Sequence, residues 1–580
     1  MLPNKQIELI LQQAVRAVLP AAETSAVLVR PCPDPKFGDY QCNALMSLAK
    51  ARKMNPRRLA TDVLAKLDVG NCYEKVEIGG AGFLNFRLKS SCLVQTLESA
   101  VRGEHLFFDK TAIPRTVVID FSSPNVAKPM HVGHIRSTIL GDSLARTLRL
   151  LGHRVVTDNH IGDWGTQFGM LLLGWKHHLR PDALKADPLG EMERLYKLVS
   201  ATSEAQETVR GAARQELVKL QGGDAENLKI WHEMIALSQK QFDTIYGRLG
   251  VKFDHTFGES FYNPRLKPLV DELVARGIAR ESEGAMAVFF DDLPQLKEQP
   301  ALIRKSDGGF NYTTTDLATL AYRLETWHPD EIIYVTDGRQ QLHFQQVFTA
   351  FRRWHSTLDA RHSTLFLAHV WFGSILGEDG KPFKTRSGET VKLADLLDEA
   401  EERAFKIVSE KNPVLPEALR REIARVVGLG AVKYADLLPN RQSDYVFSWD
   451  KMLALQGNTA PYLQYAYARI KSIFRKTGET SNLQPPTSNI QLAAAEEALL
   501  ARHLLNFGLT LESVAEEYRP NFLCNYLFAL AGKFTSFYEN CPVLKADEAT
   551  RASRLALCDL TARVLKQGLD VLGIEVVEQM

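Results

Sequence analysis

Two histidines three residues apart, His131 and His134, close the segment PNVAKPMHVGH (residues 124–134). Imidazole N–H groups can donate hydrogen bonds to a triphosphate and stabilise the charge that builds up at a phosphorus centre. Lys128, three residues before the first histidine, adds a compact positive charge for the same oxygens. These residue types at this spacing predict a site that binds a nucleoside triphosphate.

The elements predicted around this segment suit a phosphate site. The β-branched run at residues 117–119 predicts a strand, and the helical period of residues 135–151 predicts a helix. A helix N-terminus presents unpaired N–H groups and the positive end of its dipole to an anion. Gly133 lets a ligand approach the backbone without a β-carbon in the way. The alternative is that one histidine caps the helix and the other packs under the sheet; the strand–turn–helix context favours the phosphate site.

The chain as a whole has an ordinary globular composition. It has 580 residues, 45% hydrophobic and 24% charged, so we expect roughly three or four domains. The formal net charge of +1 restricts any nucleic-acid surface to a local patch. The seven cysteines are scattered, with no C-x-x-C pair and no histidines at metal-ligand spacing. That pattern indicates a reducing compartment and no structural zinc site.

Neither a signal peptide nor a membrane segment is indicated. Polar residues such as Glu8, Gln12 and Arg16 interrupt the N-terminal stretch, which has the pattern of an amphipathic helix. No apolar run approaches the ~18 residues needed to span a bilayer. We therefore expect a cytoplasmic protein without a membrane partner.

The order of predicted elements indicates an α/β protein. It has a Rossmann-type catalytic core on an open parallel sheet, an N-terminal α+β domain and an all-α C-terminal helical bundle. The predicted limits are residues 1–110, 111–400 and 401–580, with a helical insertion into the core at about 170–300. Because the βα pattern resumes after the insertion, two halves of one sheet should form a crevice at the carboxyl ends of the strands, where the topology reverses.

The stretch FSSPNVAKPMHVGHIRSTILGD (residues 121–142), followed by GDWG (162–165), resembles the arginyl-tRNA synthetases, a family of class I aminoacyl-tRNA synthetases. The likeness runs over essentially the whole chain. It implies an N-terminal domain that contacts the tRNA elbow, a catalytic core and an anticodon-binding domain. It also implies an arginine–tRNA ligase that activates L-arginine with ATP and Mg²⁺, releases pyrophosphate, and transfers the arginyl group to tRNA(Arg). We further expect a monomer with no tightly bound protein metal.

By the same resemblance, the basic loop GEDGKPFKTRSGE (residues 377–389) corresponds to the second class I signature, which closes over ATP phosphates. It departs from the usual K-M-S-K-S string. Arginyl enzymes that lack the string often carry a lysine just ahead of H-x-G-H, a position that Lys128 matches. The alternative is an ordinary basic turn. The predicted catalytic residues are Lys128, His131, His134, Lys384 and Arg386. The predicted ATP-binding residues are Pro124, Asn125, Lys128, His131, Gly133, His134, Lys381 and Lys384.

An arginine pocket should offer carboxylate, amide or phenol oxygens, because a guanidinium is planar, always charged and rich in donors. Asp120 ends the first core strand, Tyr312 and Asp316 are four apart at a helix start, and Gln340 opens a later helix. Alternatives are a dipole-stabilised acid for Asp316 and a core aromatic for Tyr312. Such a pocket can reject lysine by ~10⁴, so no editing domain is expected. By resemblance the predicted arginine-binding residues are Asp120, Ser123, Pro124, Asn125, His134, Tyr312, Asp316 and Gln340.

Two segments are candidates for tRNA contact. Tyr462, Tyr465 and Arg469 interleave aromatic and basic side chains, which suits unstacked bases and phosphates, although a core helix with a solvated basic side is the alternative. By resemblance, Phe83 and Asn85 contact the D-loop, while packing in a hairpin is the alternative.

Two other functions remain open on the sequence alone. A small-molecule adenylyl- or cytidylyltransferase would share H-x-G-H but would not need the large helical C-terminal part. A non-catalytic tRNA-binding paralogue would be expected to lose the histidines or the basic loop. The sequence has no P-loop, G-x-G-x-x-G, H-E-x-x-H or G-x-S-x-G motif, which argues against four common enzyme classes.

Overall fold

A computed structural model of the chain divides into two compact units. The first joins Met1–Thr111 to Ala454–Met580, and the second is Ala112–Leu453. The structure describes residues 2–70, 72–355, 365–383, 390–477 and 490–580.

The N-terminal part of the first unit combines four helices with a four-stranded antiparallel sheet. Its elements are Pro3–Val18 (α1), Arg30–Pro31 (β1), Tyr40–Cys42 (β2), Ala44–Ala51 (α2), Pro56–Leu64 (α3), Tyr73–Gly79 (β3), Phe83–Leu88 (β4) and Ser90–Val101 (α4). The strand order is β1-β2-β4-β3. The predicted hairpin is confirmed, because β3 and β4 pair antiparallel with Val76 opposite Phe86. Gly80 and Gly82 take positive φ in its turn.

A disulfide joins Cys72 and Cys92, whose Cα atoms are 5.2 Å apart. The N–H of Lys89 donates to the Cys72 carbonyl at 2.9 Å, which brings the start of β3 beside the start of α4. This disulfide differs from the expectation of a reducing compartment that the scattered cysteines gave, because a separation of twenty residues is no sign of pairing in the sequence. The other cysteines in the described part of the chain form no disulfide.

The second unit is built on a five-stranded parallel sheet. The strands of the whole unit, in all of its sheets, are Thr116–Asp120 (β5), Arg154–Ile161 (β6), His255–Gly258 (β7), Ala279–Ser282 (β8), Ala285–Val288 (β9), Ala301–Arg304 (β10), Glu331–Tyr334 (β11), Phe366–His369 (β12), Ile375–Leu376 (β13) and Tyr445–Val446 (β14). The main sheet has the order β12-β11-β5-β6-β7. Val117, Val118 and Ile119 of β5 are fully buried, as expected for a parallel strand covered on both faces. The chain winds outward from β5 in both directions, so the predicted crevice lies where β5 and β11 end.

Helices cover this sheet and extend from it. They are Val132–Leu150 (α5), Gln167–His178 (α6), Pro181–Ala186 (α7), Pro188–Ala205 (α8), Glu207–Gln221 (α9), Ala225–Leu249 (α10), Asn263–Ala275 (α11), Tyr312–Trp327 (α12), Gln341–His355 (α13), Leu393–Lys411 (α14), Glu417–Leu437 (α15) and Trp449–Met452 (α16). Residues 170–300 were predicted to be helical, and only part of this stretch is helical in the structure. Beyond Leu249 it supplies β7, the helix α11, and the strands β8 and β9, which form a small antiparallel sheet with β10 in the order β10-β9-β8.

The helical C-terminal part of the first unit packs with the N-terminal part. Its helices are Ala460–Thr477 (α17), Ala495–Leu504 (α18), Phe507–Glu517 (α19), Asn521–Asn540 (α20) and Glu548–Val571 (α21). Ion pairs tie the two parts together, including Lys5 to Glu512 at 2.8 Å and Arg30 to Glu516 at 2.7 Å. The predicted fold class is thereby confirmed, with a parallel core, a mixed N-terminal part and a helical C-terminal part. The domain limits stay predictions; the second compact unit runs to Leu453, past residue 400.

Candidate active site

The backbone turns sharply where β5 ends, at the crevice. Ser122 and Ser123 have φ of 72° and 47°, a left-handed conformation that costs about 1–3 kcal/mol for a residue with a side chain. Their N–H groups donate to Ser137 Oγ at 2.8 Å and to Asn159 Oδ1 at 3.1 Å. Neighbouring side chains thus hold the strained turn that brings the next residues into the crevice.

The two residues after this turn are paired with the segment GDWG. The N–H of Gly162 donates to the Pro124 carbonyl at 3.0 Å, and the N–H of Val126 donates to the Gly162 carbonyl at 3.0 Å. A β-carbon on Gly162 would lie 2.2 Å from Oδ1 of Asn125. Glycine is needed there because the predicted site residue Asn125 lies directly against it.

The two signature histidines cap α5 and still keep a donor each. Nδ1 of His131 accepts the N–H of Gly133 at 3.1 Å, and Nδ1 of His134 accepts the N–H of His131 at 3.0 Å. A neutral imidazole that accepts at Nδ1 carries its proton on Nε2. The capping alternative and the phosphate prediction are therefore compatible, since capping uses Nδ1 and leaves Nε2–H for a ligand.

Both imidazoles are neutral at physiological pH. Burial, together with the neighbouring His131, lowers the pKa of His134 to about 3. Burial and the charge of Lys128 lower the pKa of His131. The Lys128 ammonium lies 5.1 Å from the ring centre of Tyr196 on α8, a cation–π contact that the helical insertion supplies. The insertion therefore holds the lysine that the sequence assigns to the triphosphate.

The segment that follows the basic loop is bonded to the start of α5. The N–H of Val132 donates to the Val391 carbonyl at 2.9 Å, and the N–H of Leu393 donates to the Met130 carbonyl at 2.9 Å. The described residues that follow the basic loop, from residue 390, therefore lie beside His131.

The first part of the same loop forms a tight turn. The N–H of Gly377 donates to the Lys381 carbonyl at 2.7 Å, and the Phe383 ring stacks on Phe447 with centroids 4.5 Å apart. Lys381 is exposed at this turn. The predicted catalytic residues Lys384 and Arg386 lie outside the described residues.

The structure brings two of the predicted arginine-binding residues together. Tyr312 and Asp316 lie one turn apart at the start of α12, and both contact His343, a residue that the sequence analysis did not single out. Nε2 of His343 is 2.5 Å from Oδ2 of Asp316, and the Tyr312 ring meets the imidazole edge-on at 4.7 Å. Gln340 is exposed at the end of the short turn before α13. Tyr312 is 60% exposed, so its phenol is accessible to a ligand.

Asp120, a predicted arginine-binding residue, is bonded to two side chains of the protein itself. Its Oδ2 accepts from Nη2 of Arg323 at 2.6 Å, and its Oδ1 accepts from the hydroxyl of Ser123 at 3.0 Å. Asp158 binds the same guanidinium at 2.8 Å. Arg323 is fully buried, so the two carboxylates neutralise its charge inside the sheet. The contact with substrate arginine stays a prediction, and the structure instead gives Asp120 an internal arginine.

Glu259 is a candidate that the sequence analysis missed. It begins the short 3₁₀ turn Glu259–Tyr262 after β7. Burial raises its pKa to about 7; His160 opposes this shift, and the charges of Asp316 and Asp163 add to it. Crowded carboxylates in a partly buried site are suited to a guanidinium. No local pattern marks Glu259, because its neighbours come from distant parts of the chain.

The residues predicted to contact tRNA differ in accessibility. Asn85 is only 5% exposed, and its Oδ1 accepts from Nε2 of Gln41 at 2.8 Å, so it packs within the sheet. Phe83 is half-buried beside the hairpin turn. Tyr462, Tyr465 and Arg469 lie at three- and four-residue steps of α17. They therefore share one face of that helix.

Within the described residues, no group of three or more metal-binding side chains occurs, and no helix is long and apolar enough to cross a membrane.

The fold and the signature helix agree with a family model described as "tRNA synthetases class I (R), catalytic domain", which matches residues 96–449. An open parallel sheet with H-x-G-H at the first helix N-terminus, at the switch point, defines the catalytic core of a class I aminoacyl-tRNA synthetase.

Two further family models and full-length relatives narrow this class. "Arginyl tRNA synthetase N terminal domain" matches residues 5–88, and "DALR anticodon binding domain" matches residues 463–580. The arginine–tRNA ligase of Hahella chejuensis is 47% identical over 583 residues, covering 99% of this chain and all of the relative. That of Chromobacterium violaceum is 46% identical with the same coverage. The chain belongs to the arginyl-tRNA synthetase family.

Solved structures support the same assignment. The arginyl-tRNA synthetase of Thermus thermophilus has a TM-score of 0.84 at 26% identity, covering all of both chains. That of Plasmodium falciparum has a TM-score of 0.81 at 30% identity, covering all of this chain and 99% of the other.

Proposed function

We propose that this chain, an arginine–tRNA ligase, carries out both steps of its reaction at the crevice of the parallel sheet. In the first step the carboxylate of L-arginine attacks the α-phosphorus of ATP, forming arginyl-adenylate and releasing pyrophosphate. In the second, a hydroxyl of the terminal adenosine of tRNA(Arg) takes the arginyl group and AMP leaves. Neither step requires a protein nucleophile, so catalysis consists of positioning and charge stabilisation.

The observation that carries this proposal is the pair of Nε2–H donors at the start of α5. Nδ1 of His131 and of His134 is occupied by backbone N–H groups, and both rings are neutral. Their remaining donors and Lys128 would bind the triphosphate and stabilise charge as pyrophosphate leaves. We also assign ATP contacts to Pro124, Asn125, Gly133 and Lys381, and, from the resemblance, to Lys384 and Arg386.

The arginine substrate would lie beside this site, with its guanidinium near Asp316. The short contact between Asp316 and His343 shows that this carboxylate faces donors, and Glu259 adds a second carboxylate nearby. A charge-assisted hydrogen bond to each carboxylate is worth about 1.5–3 kcal/mol. The phenol of Tyr312 and the amide of Gln340 would complete the pocket. Ser123, Asn125 and His134 would meet the amino and carboxylate end.

Mg²⁺ is proposed to enter with ATP, held mainly by the phosphates of the substrate. Its role would be to neutralise the charge of the β- and γ-phosphates as pyrophosphate leaves. The residues of the chain that would face these phosphates are Lys128 and the two signature histidines.

Binding of tRNA(Arg) is assigned to the DALR domain by the family model. Within it we propose that the face of α17 with Tyr462, Tyr465 and Arg469, of which Tyr465 is exposed, contacts the nucleic acid. For the N-terminal domain we propose a second contact around Phe83. Arg57 supports this contact with a positive charge beside the hairpin turn, where its Nη1 donates to the carbonyl of Gly80 at 3.3 Å. Asn85 would act there through the sheet that it stabilises.

The three family models support the predicted division of labour among a tRNA-contacting N-terminal domain, a catalytic core and an anticodon-binding domain. We propose a monomer, because both substrate sites are assembled from residues of one chain. We also propose a cytoplasmic location, where aminoacylated tRNA is consumed.

The deciding experiment is arginine-dependent ATP–pyrophosphate exchange, measured with and without tRNA(Arg). Exchange that requires L-arginine and is not supported by L-lysine is expected for a ligase. An absence of exchange under both conditions would leave only a tRNA-binding module.

A further inference from the structure

A buried arginine behind the ATP site connects three segments that are distant in sequence. Arg136, two residues beyond His134 on α5, is only 1% exposed. Its Nη1 donates to the carbonyl of Gly373 at 2.7 Å and to the carbonyl of Ser443 at 3.2 Å. Its Nε lies 3.1 Å from Oδ1 of Asp436, a buried carboxylate on α15. One guanidinium therefore joins the signature helix to the chain between β12 and β13 and to the segment that follows α15.

The region around Arg136 leaves little freedom for movement. Its guanidinium lies 5.7 Å from the ring centre of Phe372 and 5.1 Å from that of Tyr445. A β-carbon on Gly373 would lie 2.7 Å from Oδ1 of Asp444. Gly373 shortly precedes β13, and β13 leads into the loop of residues 377–389. The contact thus sets the position at which the loop leaves the sheet.

The opposite end of the same loop is also bonded to α5. Met130 and Val132 pair with Leu393 and Val391 by backbone hydrogen bonds of 2.9 Å each. The chain on both sides of the loop is therefore bonded to α5 or to the residues just before it. The two signature histidines lie at the same end of this helix. On the side where the chain enters the loop, the side chain that makes this bond is Arg136, through the carbonyl of Gly373.

We propose that Arg136 is a positioning residue for amino-acid activation, which holds the root of the 377–389 loop in register with the imidazoles of His131 and His134. This inference rests on the proposed ATP site. The planar fork of arginine can bind two carbonyls and a carboxylate at once, whereas a lysine ammonium is a point charge. A buried ion pair adds little to stability compared with well-packed apolar side chains, so stability alone does not account for it.

The test compares Arg136→Lys with Lys433→Met in the full-length protein. Lys433 is a matched control, because it is 5% exposed on α15 and its Nζ donates to the Leu249 carbonyl, away from the loop. We expect Arg136→Lys to lower kcat for exchange at least tenfold while KM for arginine stays within twofold. Lys433→Met should lower Tm comparably and leave kcat within twofold.

A second variant keeps the test decisive if Arg136→Lys does not fold. Gly373→Ala leaves Arg136 in place but displaces the loop root, so it should lower kcat with little change in KM for arginine. The inference is overturned if folded Arg136→Lys or Gly373→Ala keeps kcat within twofold. It is also overturned if Lys433→Met loses as much turnover as Arg136→Lys. If the inference about Arg136 is overturned while His134→Ala still loses turnover, the proposed ATP site itself stands.

Discussion

The signature histidines use their two nitrogens for different purposes. Nδ1 of each ring accepts a backbone N–H, and this fixes both the ring position and the tautomer. Nε2–H is left as a donor whose direction is set by the helix cap and needs no reorganisation when charge develops. The low pKa of His134, caused mainly by burial, keeps this arrangement over the whole physiological range. At this scale, the capping role and the proposed catalytic role depend on the same geometry.

His134→Ala tests the role of the inner imidazole. Loss of one preorganised donor should lower turnover in ATP–pyrophosphate exchange by about 10²–10³-fold. The matched control is His153→Ala, because Nδ1 of His153 also accepts a backbone N–H, from Arg115 at 3.1 Å, at the far end of the same helix. The control should keep turnover within twofold. A change below twofold in His134→Ala would favour a capping role only.

If Glu259 binds the substrate guanidinium, arginine binding should depend on pH in a defined direction. Its pKa is raised to about 7 in the free protein, chiefly by burial, so it is largely protonated at pH 6 and ionised at pH 8. A guanidinium prefers the ionised form, so affinity should rise by about tenfold from pH 6 to pH 8, with proton release on binding. Calorimetric titration of arginine in buffers of different ionisation enthalpy measures both quantities.

Two variants separate this carboxylate from its neighbours, which include Asp316, His160 and Asp163. Glu259→Gln should flatten the pH dependence, whereas Asp316→Asn should weaken arginine at every pH and keep the slope. An unchanged slope in Glu259→Gln would assign the titration to another group.

At the scale of elements, strongly patterned segments could be predicted and weakly patterned ones could not. The apolar run of β5 and the helical period of α5 predicted the phosphate-facing turn, and the structure places both where expected. Strand β7 is four residues long and half polar, so its sequence has no strand period, although pairing with β6 makes it part of the sheet. The two-residue turn between β8 and β9 is a signal for a hairpin that the sequence analysis did not use. Glu283 and Gly284 both have positive φ, as in tight hairpins.

Site residues show the same division. Tyr312 and Asp316 share one helix turn, so spacing alone could place them together. The strand pattern could place Asp120 at the crevice but could not show that its carboxylate binds the buried Arg323, and its contact with substrate arginine stays a prediction. Glu259 was invisible, because its environment is created by segments far apart in sequence. Tertiary neighbours, rather than local pattern, decide such roles.

The helical insertion contributes an element-scale prediction through α8. Tyr196 contacts Lys128 by its ring face, and such a contact is worth about 0.5–1 kcal/mol at an exposed site. Tyr196→Leu should therefore lower kcat/KM for ATP by about two- to fivefold. Tyr196→Phe keeps the ring and should stay close to wild type. Equal loss in both variants would point to the hydroxyl instead of the cation–π contact.

On the scale of the whole molecule, a net charge of +1 conceals a local basic surface. The end of α2, the turn after it and the start of α3 together carry five exposed cations within nine residues. In the described part of the chain none of them forms an ion pair with a carboxylate. These basic-surface residues are Lys50, Arg52, Lys53, Arg57 and Arg58. They adjoin the hairpin turn near Phe83, in the same compact unit as the DALR domain. Unpaired surface cations beside an aromatic side chain are suited to a nucleic-acid backbone.

If this basic surface binds tRNA phosphates, its removal must change the salt dependence of binding. For every phosphate that is no longer bound, the slope of log K against log salt should fall by about 1, so Lys50→Gln combined with Arg58→Gln should reduce it by about 2. Lys297→Gln with Lys305→Gln is the matched control, since both lysines are exposed and lie in the other compact unit. Fluorescence titrations of tRNA(Arg) between about 50 and 200 mM salt measure the slope over the range in which such binding is resolved. Equal slopes in the two double variants would show that the five cations are only a solvated surface, because counterion release depends on direct binding of phosphate and not on net charge alone.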